Sequence, residues 1–198
     1  MAHSKTQSQA GRQVAGPGRP RNFDEAAALE QALLVFWKNG YEATSLDELT
    51  KAMGLSRSSF YAAFGSKQAL FLRALEHYSE NGLQNLRDVA GSAVGSPVDA
   101  MMHALSNPDG GKQGCMLVNC ITELAPHDEE VAAIGRRHLE KIEEIFARVL
   151  DPANPETVRD KARAYSSLAI GTLALRKAGY PAERIAETLK QAREILPA

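Results

Sequence analysis

Three glycines, Gly40, Gly54 and Gly65, divide one stretch of this chain into pieces too short for anything but two-turn helices. Each glycine is followed within a few residues by a serine that can start a helix: Ser45, Ser56 and Ser66. Glycine ends helices and serine caps their starts. Ser45 also has Glu48 three residues on, the spacing of a capping box. The segment TSLDELTKAMGLSRSSFYAAFGSK, Thr44 to Lys67, therefore predicts two short helices joined by a tight turn, with another helix opening at its end. At 100° per residue, Leu46, Leu49 and Met53 share one face of the first, and Phe60 and Phe64 one face of the second. These faces pack together. Ser58, Tyr61 and Ala62 point away, with Arg57 flanking them from the first turn.

A short polar helix held against an apolar partner suits entry into the DNA major groove. No carboxylate lies between Arg57 and Lys67, so phosphate meets no like charge along that segment. Arg57 can pair with two guanine acceptors at once. Thr44, Ser45, Ser58, Ser59 and Tyr61 offer hydroxyls, and Lys67 sits in a first helical turn beside exposed amides, where phosphate binds. An amphipathic helix pair inside an ordinary bundle has the same periodicity, so spacing leaves both readings open.

The rest of the chain is also helical in pattern. A first helix from Phe23 carries Leu29, Leu33, Phe36 and Trp37 and ends at Asn39-Gly40. A long fourth helix starts at Ser66. Others are expected at about 97–106, from Cys115 to Pro126, from Asp128 to Leu150, at 156–178 and at 181–195, with His127 capping the seventh. Nine helices and no strand make the fold class all-α.

The formal net charge is −1 over 198 residues, but it is unevenly spread. Residues 1–22 hold Lys5, Arg12, Arg19 and Arg21 and no acid, against 19 basic and 24 acidic residues in the remainder. A basic arm on an acidic body suits an anionic partner met at one end. Arg19 and Arg21, nearest the folded part, are the candidates for DNA contact; a solvated tail accounts equally well for Lys5 and Arg12. There is no apolar run of membrane-spanning length and no secretory signal pattern, so a cytoplasmic protein is expected.

GYEATSLDELTKAMGLSRSSFYAAFGSKQALF resembles the N-terminal signature of the TetR/AcrR family of bacterial transcriptional regulators. The resemblance rests on Phe36, Gly40-Tyr41, Thr44, Leu46 and Leu49, Gly54-Leu55-Ser56, Phe60-Tyr61, Phe64, Lys67 and Leu70-Phe71. It implies a helix-turn-helix DNA-binding domain over 23–68, after a flexible arm over 1–22. An effector-binding and dimerisation domain over 69–198 would follow. It further implies a homodimer on a palindromic operator, most simply a repressor released by a small-molecule or electrophile effector. The family places its dimer interface on the last two helices. Here Val158, Ala162, Tyr165, Ala169 and Leu173 form an apolar face on one, and Ile185, Leu189 and Ile195 on the other. The same face could instead cover the chain's own core. Ala62 and Ala63 stand where the family often has bulkier residues, which bears on the operator sequence.

GCMLVNCITELAPHDEEV resembles a segment of a TetR subgroup that includes regulators of electrophile or redox response. Cys115 stands at a helix start, where a thiolate is favoured; a small buried core residue is the other role open to it. Cys120, five residues on in the same helix, is beyond disulfide reach without unwinding. Candidate effector-site residues are Phe71, Tyr78, Met101, Met102, His103, Cys115, Leu117 and Asn119. Met101 and Met102 also fit a core role, and His77, His103 and His138 fit either a cavity wall or surface and core positions. No His or Cys pair has metal-ligand spacing, and no nucleophile elbow, phosphate loop or acid–base pair is present, so neither metal, cofactor nor enzymatic activity is expected. A thiol enzyme using Cys115 would need an activating base or cation that the spacing does not reveal. A helical adaptor would bind no DNA at all.

Overall fold

Asp24 opens the first helix: its Oδ1 accepts from Ala26 N and Ala27 N at 3.0 and 3.1 Å. In the computed structural model, which describes residues 23–106 and 113–195, this helix is α1, Glu25–Asn39. The helix α2, Leu46–Met53, starts at the Ser45–Glu48 capping box and stops at Gly54. Gly54 has φ +65°, a left-handed conformation glycine adopts without steric cost. Ser56 caps α3, Arg57–Phe64, and Ser66 caps α4, Lys67–Ser92. Then come α5, Pro97–Ser106; α6, Met116–Glu123; α7, Glu129–Leu150; α8, Arg159–Lys177; and α9, Ala182–Ile195. Among the described residues there are nine α-helices, one 3₁₀ turn at Pro155–Val158 and no strand. None of these helices is long and apolar enough to cross a membrane. Arg19 and Arg21 lie outside the described residues.

Three local expectations are corrected. The sixth helix stops at Glu123 because His127 N and Asp128 N turn back to Leu124 O, both at 2.9 Å. Asp128, not His127, caps α7, its carboxylate accepting from Glu130 N and Val131 N. The eighth helix begins with the Pro155–Val158 3₁₀ turn, and regular α-geometry starts only at Arg159.

Two apolar clusters form the interior. The first joins Leu33 and Phe36 of α1, Leu49 and Met53 of α2, Phe60 and Phe64 of α3, and Leu70, Phe71 and Leu75 of α4. It continues into Met116, Leu117 and Cys120 of α6 and Val131 and Ile134 of α7. The second joins Leu83 and Leu86 of α4 to α5, the rest of α7 and α8. The α8 face read as a dimer surface lies largely in this second cluster. Ala162, Tyr165 and Ala169 are buried within the chain, Leu173 is also buried, and the Tyr165 ring stacks on Phe146 at 5.9 Å. Ile185 is buried too, while Ile195 is exposed. The periodicity was real, but its partner is the chain's own α5 and α7. Gly171, on the opposite side of α8, faces open space.

One polar pair is built into this interior. Ser79 Oγ on α4 lies 2.8 Å from His138 Nδ1 on α7, and both residues are buried. Burial, helped by Lys141, lowers the His138 pKa from its ordinary value of 6.5 to about 4. Between those values the unfolded chain binds a proton that the folded chain refuses, so stability falls as pH drops through that window. The difference amounts to about 3 kcal/mol at most. Denaturant unfolding at a series of pH values between 4 and 7.5 checks this: wild type should lose stability toward acid, and His138→Gln should lose markedly less. A core test of the two-helix unit is Phe60→Ala, expected to cost about 3–5 kcal/mol in the same assay because Phe60 is fully enclosed.

Candidate functional site

The outer face of α3 is polar, exposed and without an acidic residue of its own. Ser58, Tyr61 and Ala62 are exposed, while Phe60 and Phe64 are buried beneath them against α2 and α4. Tyr61 is 54% exposed although its ring meets the edge of Phe60 at 5.4 Å, so its hydroxyl reaches outward from a fixed base. Lys67 is half-buried, and its Nζ lies 4.4 Å from the Tyr41 ring centroid at the start of α4. A cation over an aromatic face is held in place without being neutralised.

Arg57 is not alone on this face. Its Nε and Nη2 both donate to Asp47 Oδ1, at 3.1 and 2.7 Å, with both side chains largely exposed. Asp47 lies ten residues earlier, on α2, and the helix turn brings it across. An exposed pair of this kind is weak and is readily exchanged for another partner.

The hydroxyls fare differently from the expectation. Thr44 is buried, and its hydroxyl donates to Gly40 O at 2.6 Å, closing the turn before α2. It presents no donor to phosphate. The Ser45 hydroxyl donates to Glu48 Oε2 at 2.7 Å and accepts from Glu48 N, so the cap consumes it and sets a carboxylate beside it. Ser59 is half-buried, with its Oγ on Ser56 Oγ at 2.9 Å. Ser58 Oγ shares the same Ser56 partner but stays exposed.

A second feature lies between the helices behind this face. A cavity of about 130 Å³ is walled by α1, α4, α5, α6, α7 and α8. Tyr78, Cys115 and Leu117 line it, as the sequence suggested, together with Trp37, Gly82, His138 and Arg176. The Tyr78 hydroxyl donates to Cys115 Sγ at 3.5 Å. Burial above all, and then Cys115, raise the Tyr78 pKa, so it stays a donor. Cys115 is half-buried at the N-cap of α6. Cys120 is buried among apolar side chains, which pushes its thiol up to about 12 and leaves it unreactive. Both cysteines are free.

The other candidate effector residues lie elsewhere. Phe71 is buried in the first cluster, its ring 5.1 Å from Phe36 and 4.7 Å from Tyr41. Met101 is buried in the second cluster. Met102 and His103 border a separate hollow between α5, α8 and α9. Asn119 faces a different hollow, its amide donating to Gln113 O and accepting from Lys177 Nζ at 2.8 Å. Helical spacing placed these residues inward but could not say into which space. Trp37 was legible as an apolar residue of the first helix, yet nothing in the sequence shows that the end of α1 walls this cavity. Among the described residues no group of three or more His, Cys, Asp or Glu could hold a metal ion.

The profile of the family described as "Bacterial regulatory proteins, tetR family" matches residues 28–74, which span α1 to the first turns of α4. The chain is 34% identical over 135 residues to YezE of Bacillus subtilis, an uncharacterized HTH-type transcriptional regulator, covering 65% of this chain and 69% of that protein. It is 29% identical over 185 residues to BdcR of Escherichia coli, an HTH-type transcriptional repressor, covering 91% and 92%. Among solved structures, a cysteine mutant of the TetR-family regulator CifR bound to a 26-base-pair operator duplex matches with TM-score 0.76 and 29% identity, over 91% of this chain and all of that one. The exposed α3 face and the helix pair that carries it thus belong to a known kind of DNA reader: the chain is a member of the TetR family of bacterial transcriptional regulators, DNA-binding proteins with a helix-turn-helix at the N-terminus.

Proposed function

We propose that this protein is a cytoplasmic, homodimeric repressor that leaves a palindromic operator when a small molecule or electrophile occupies the cavity behind its DNA-binding head. Residues 23–68 act as the DNA-binding unit and 69–198 as the effector-binding and dimerisation unit. The observation that carries this reading is the composition of the cavity wall. Trp37 comes from α1 of the head and Tyr78 from α4, and the two rings meet edge to face at 5.3 Å. A ligand that displaces either ring acts on the head directly.

Each head would place α3 in one major groove. Arg57 exchanges Asp47 for a base edge, Ser58 and Tyr61 reach the backbone, and Lys67 meets a phosphate. Arg19 and Arg21 are assigned further contacts with the duplex. The head moves with α4 because α1 is tied along it: Arg73 donates to Glu25 at 2.6 Å, and His77 Nε2 lies 3.2 Å from Glu30. Lys67 and Gly82 are about 22 Å apart along α4 by helix rise. A small tilt at the cavity therefore becomes a larger shift at the groove. Two heads must fit two grooves together, so the ligand needs only different affinities for the two spacings. The dimer surface is assigned to the outward side of α8 around Ser167, Gly171 and Ala174, with α9.

The operator is obtained by selection from random duplexes and used in all assays. Arg57→Ala should lower specific affinity roughly tenfold or more, with little effect on random DNA. Lys67→Ala should weaken binding to all sequences and reduce the salt slope by about one. Asp47→Ala, which frees the Arg57 fork and removes a carboxylate near the phosphates, should tighten binding to random DNA. Fluorescence anisotropy across salt concentrations checks all three.

Release is tested with a quinone, hypochlorite or peroxide challenge. If Cys115 mediates the response, wild type releases the operator and Cys115→Ser binds it normally but does not release. Equal release by the two proteins assigns the response to reversible occupancy of the cavity; no release by any small molecule that binds there overturns the reading.

A further inference from the structure

Among the described residues, the cavity offers hydrogen-bond donors to a ligand and no acidic or amide side chain to accept from one. Among the described residues, Ser79 Oγ has one hydrogen-bond partner, His138 Nδ1 at 2.8 Å. We assign the hydroxyl proton to that bond, with Nδ1 as the acceptor, because the reverse would leave the buried Ser79 hydroxyl proton unpaired. In that assignment Nε2 carries the ring proton of a neutral imidazole. The ring is neutral at pH 7 because burial disfavours its cation. His138 lines the cavity, and its Nε2 has no partner among the described residues. On the same wall the Trp37 indole N–H is buried and also without a partner.

The remaining lining limits the ligand further. Among the described residues no Asp, Glu, Asn or Gln borders the cavity, so a ligand ammonium would find no partner on these walls. Arg176 also lines the cavity, with Nη1 donating to the neutral Ser106 O at 3.0 Å, so a ligand carboxylate is the competitor against which the carbonyl preference is measured. Leu86, Leu117, Ile142 and Leu173 supply apolar walls. The volume, about 130 Å³, is of the order that holds one benzene ring.

From this geometry we infer that the cavity recognises small uncharged carbonyl compounds of about one ring, through a hydrogen bond from His138 Nε2 to the carbonyl oxygen. Ser79 is a positioning residue: it fixes the tautomer that donates. The inference rests on reading this cavity as the effector site, and it concerns recognition rather than reaction at Cys115. Acetophenone, which does not alkylate thiols, is the suitable probe.

Trp37 is the single tryptophan of the chain, so its fluorescence reports the cavity directly. The full-length protein is titrated with acetophenone, ethylbenzene, benzoate and 1-phenylethylamine. Acetophenone should bind about fivefold more tightly than ethylbenzene, the worth of one net hydrogen bond, and more tightly than either charged probe. In His138→Phe the acetophenone-to-ethylbenzene ratio should fall to about one. Ser79→Ala, a smaller change that serves if the first variant does not fold, should lower the ratio part of the way. Equal affinities for acetophenone and ethylbenzene in wild type overturn the inference, as does tighter binding of benzoate. Operator release is scored separately: acetophenone preference without release leaves this inference standing and removes the effector role from the cavity.

Discussion

The seam between α1 and α4 is the contact on which the rest of this molecule depends. Phe36 meets Phe71, Tyr41 stacks against both, and Trp37 abuts Tyr78. Arg73 and His77 reach from α4 to Glu25 and Glu30 along its edge. Aromatic pairs of this kind add about 0.5–1.5 kcal/mol each beyond the area they bury. Exposed ion pairs contribute less, so the rings set the geometry and the charges trim it. Interiors packed this way move as units. The helix pair that carries the reading face is therefore fixed to the first half of α4, and α4 runs on into the cavity.

This arrangement gives the reading face its rigidity without giving it strong internal bonds. Phe60 and Phe64 anchor α3 from below, and Ser56 and Gly65 fix its ends. Above that base, Arg57 rests on a carboxylate it can leave. Asp47 also carries negative charge next to a surface meant for phosphate. Such a residue holds the guanidinium fork extended and weakens contact with any duplex that does not offer a better partner. Selectivity of this sort comes from making the wrong contact unfavourable as much as from improving the right one.

Much of the fold was legible because its punctuation is local. Gly40, Gly54 and Gly65 with Ser45, Ser56 and Ser66 mark helix ends by chemistry within a few residues, and the structure ends α1, starts and stops α2 and α3, and starts α4 there. The exposed side of α3 was legible for the same reason. What failed depended on folded geometry that spacing alone does not supply. Thr44 looked like a donor because a hydroxyl beside a helix start often is one; only the folded turn shows it buried on Gly40 O. Asp47 reaches Arg57 across a turn whose geometry no spacing rule supplies. The α8 face was identified as apolar, but periodicity reports that a face is covered and not by what, and α5 and α7 cover it. Phe71 and Met101 point inward as expected, but into the two packed clusters and not into the cavity, for that same reason.

The cavity follows this logic to its end. Its walls come from six helices, and its polar character depends on the pairing of Ser79 with His138, which lie 59 residues apart. Taken singly, His138 is a histidine on an amphipathic helix and Ser79 a small polar residue on another. Together they fix which nitrogen carries the proton, and so turn a group that can donate or accept into one that donates. The low dielectric that keeps the imidazole neutral also strengthens any hydrogen bond it makes to a ligand. Trp37 adds the remaining link, since the residue on the wall belongs to the helix that begins the DNA head. A molecule held between His138 on α7 and Trp37 on α1 bridges body and head across α4. In the proposed function, the position of the head relative to the body is the variable that occupancy of the cavity sets.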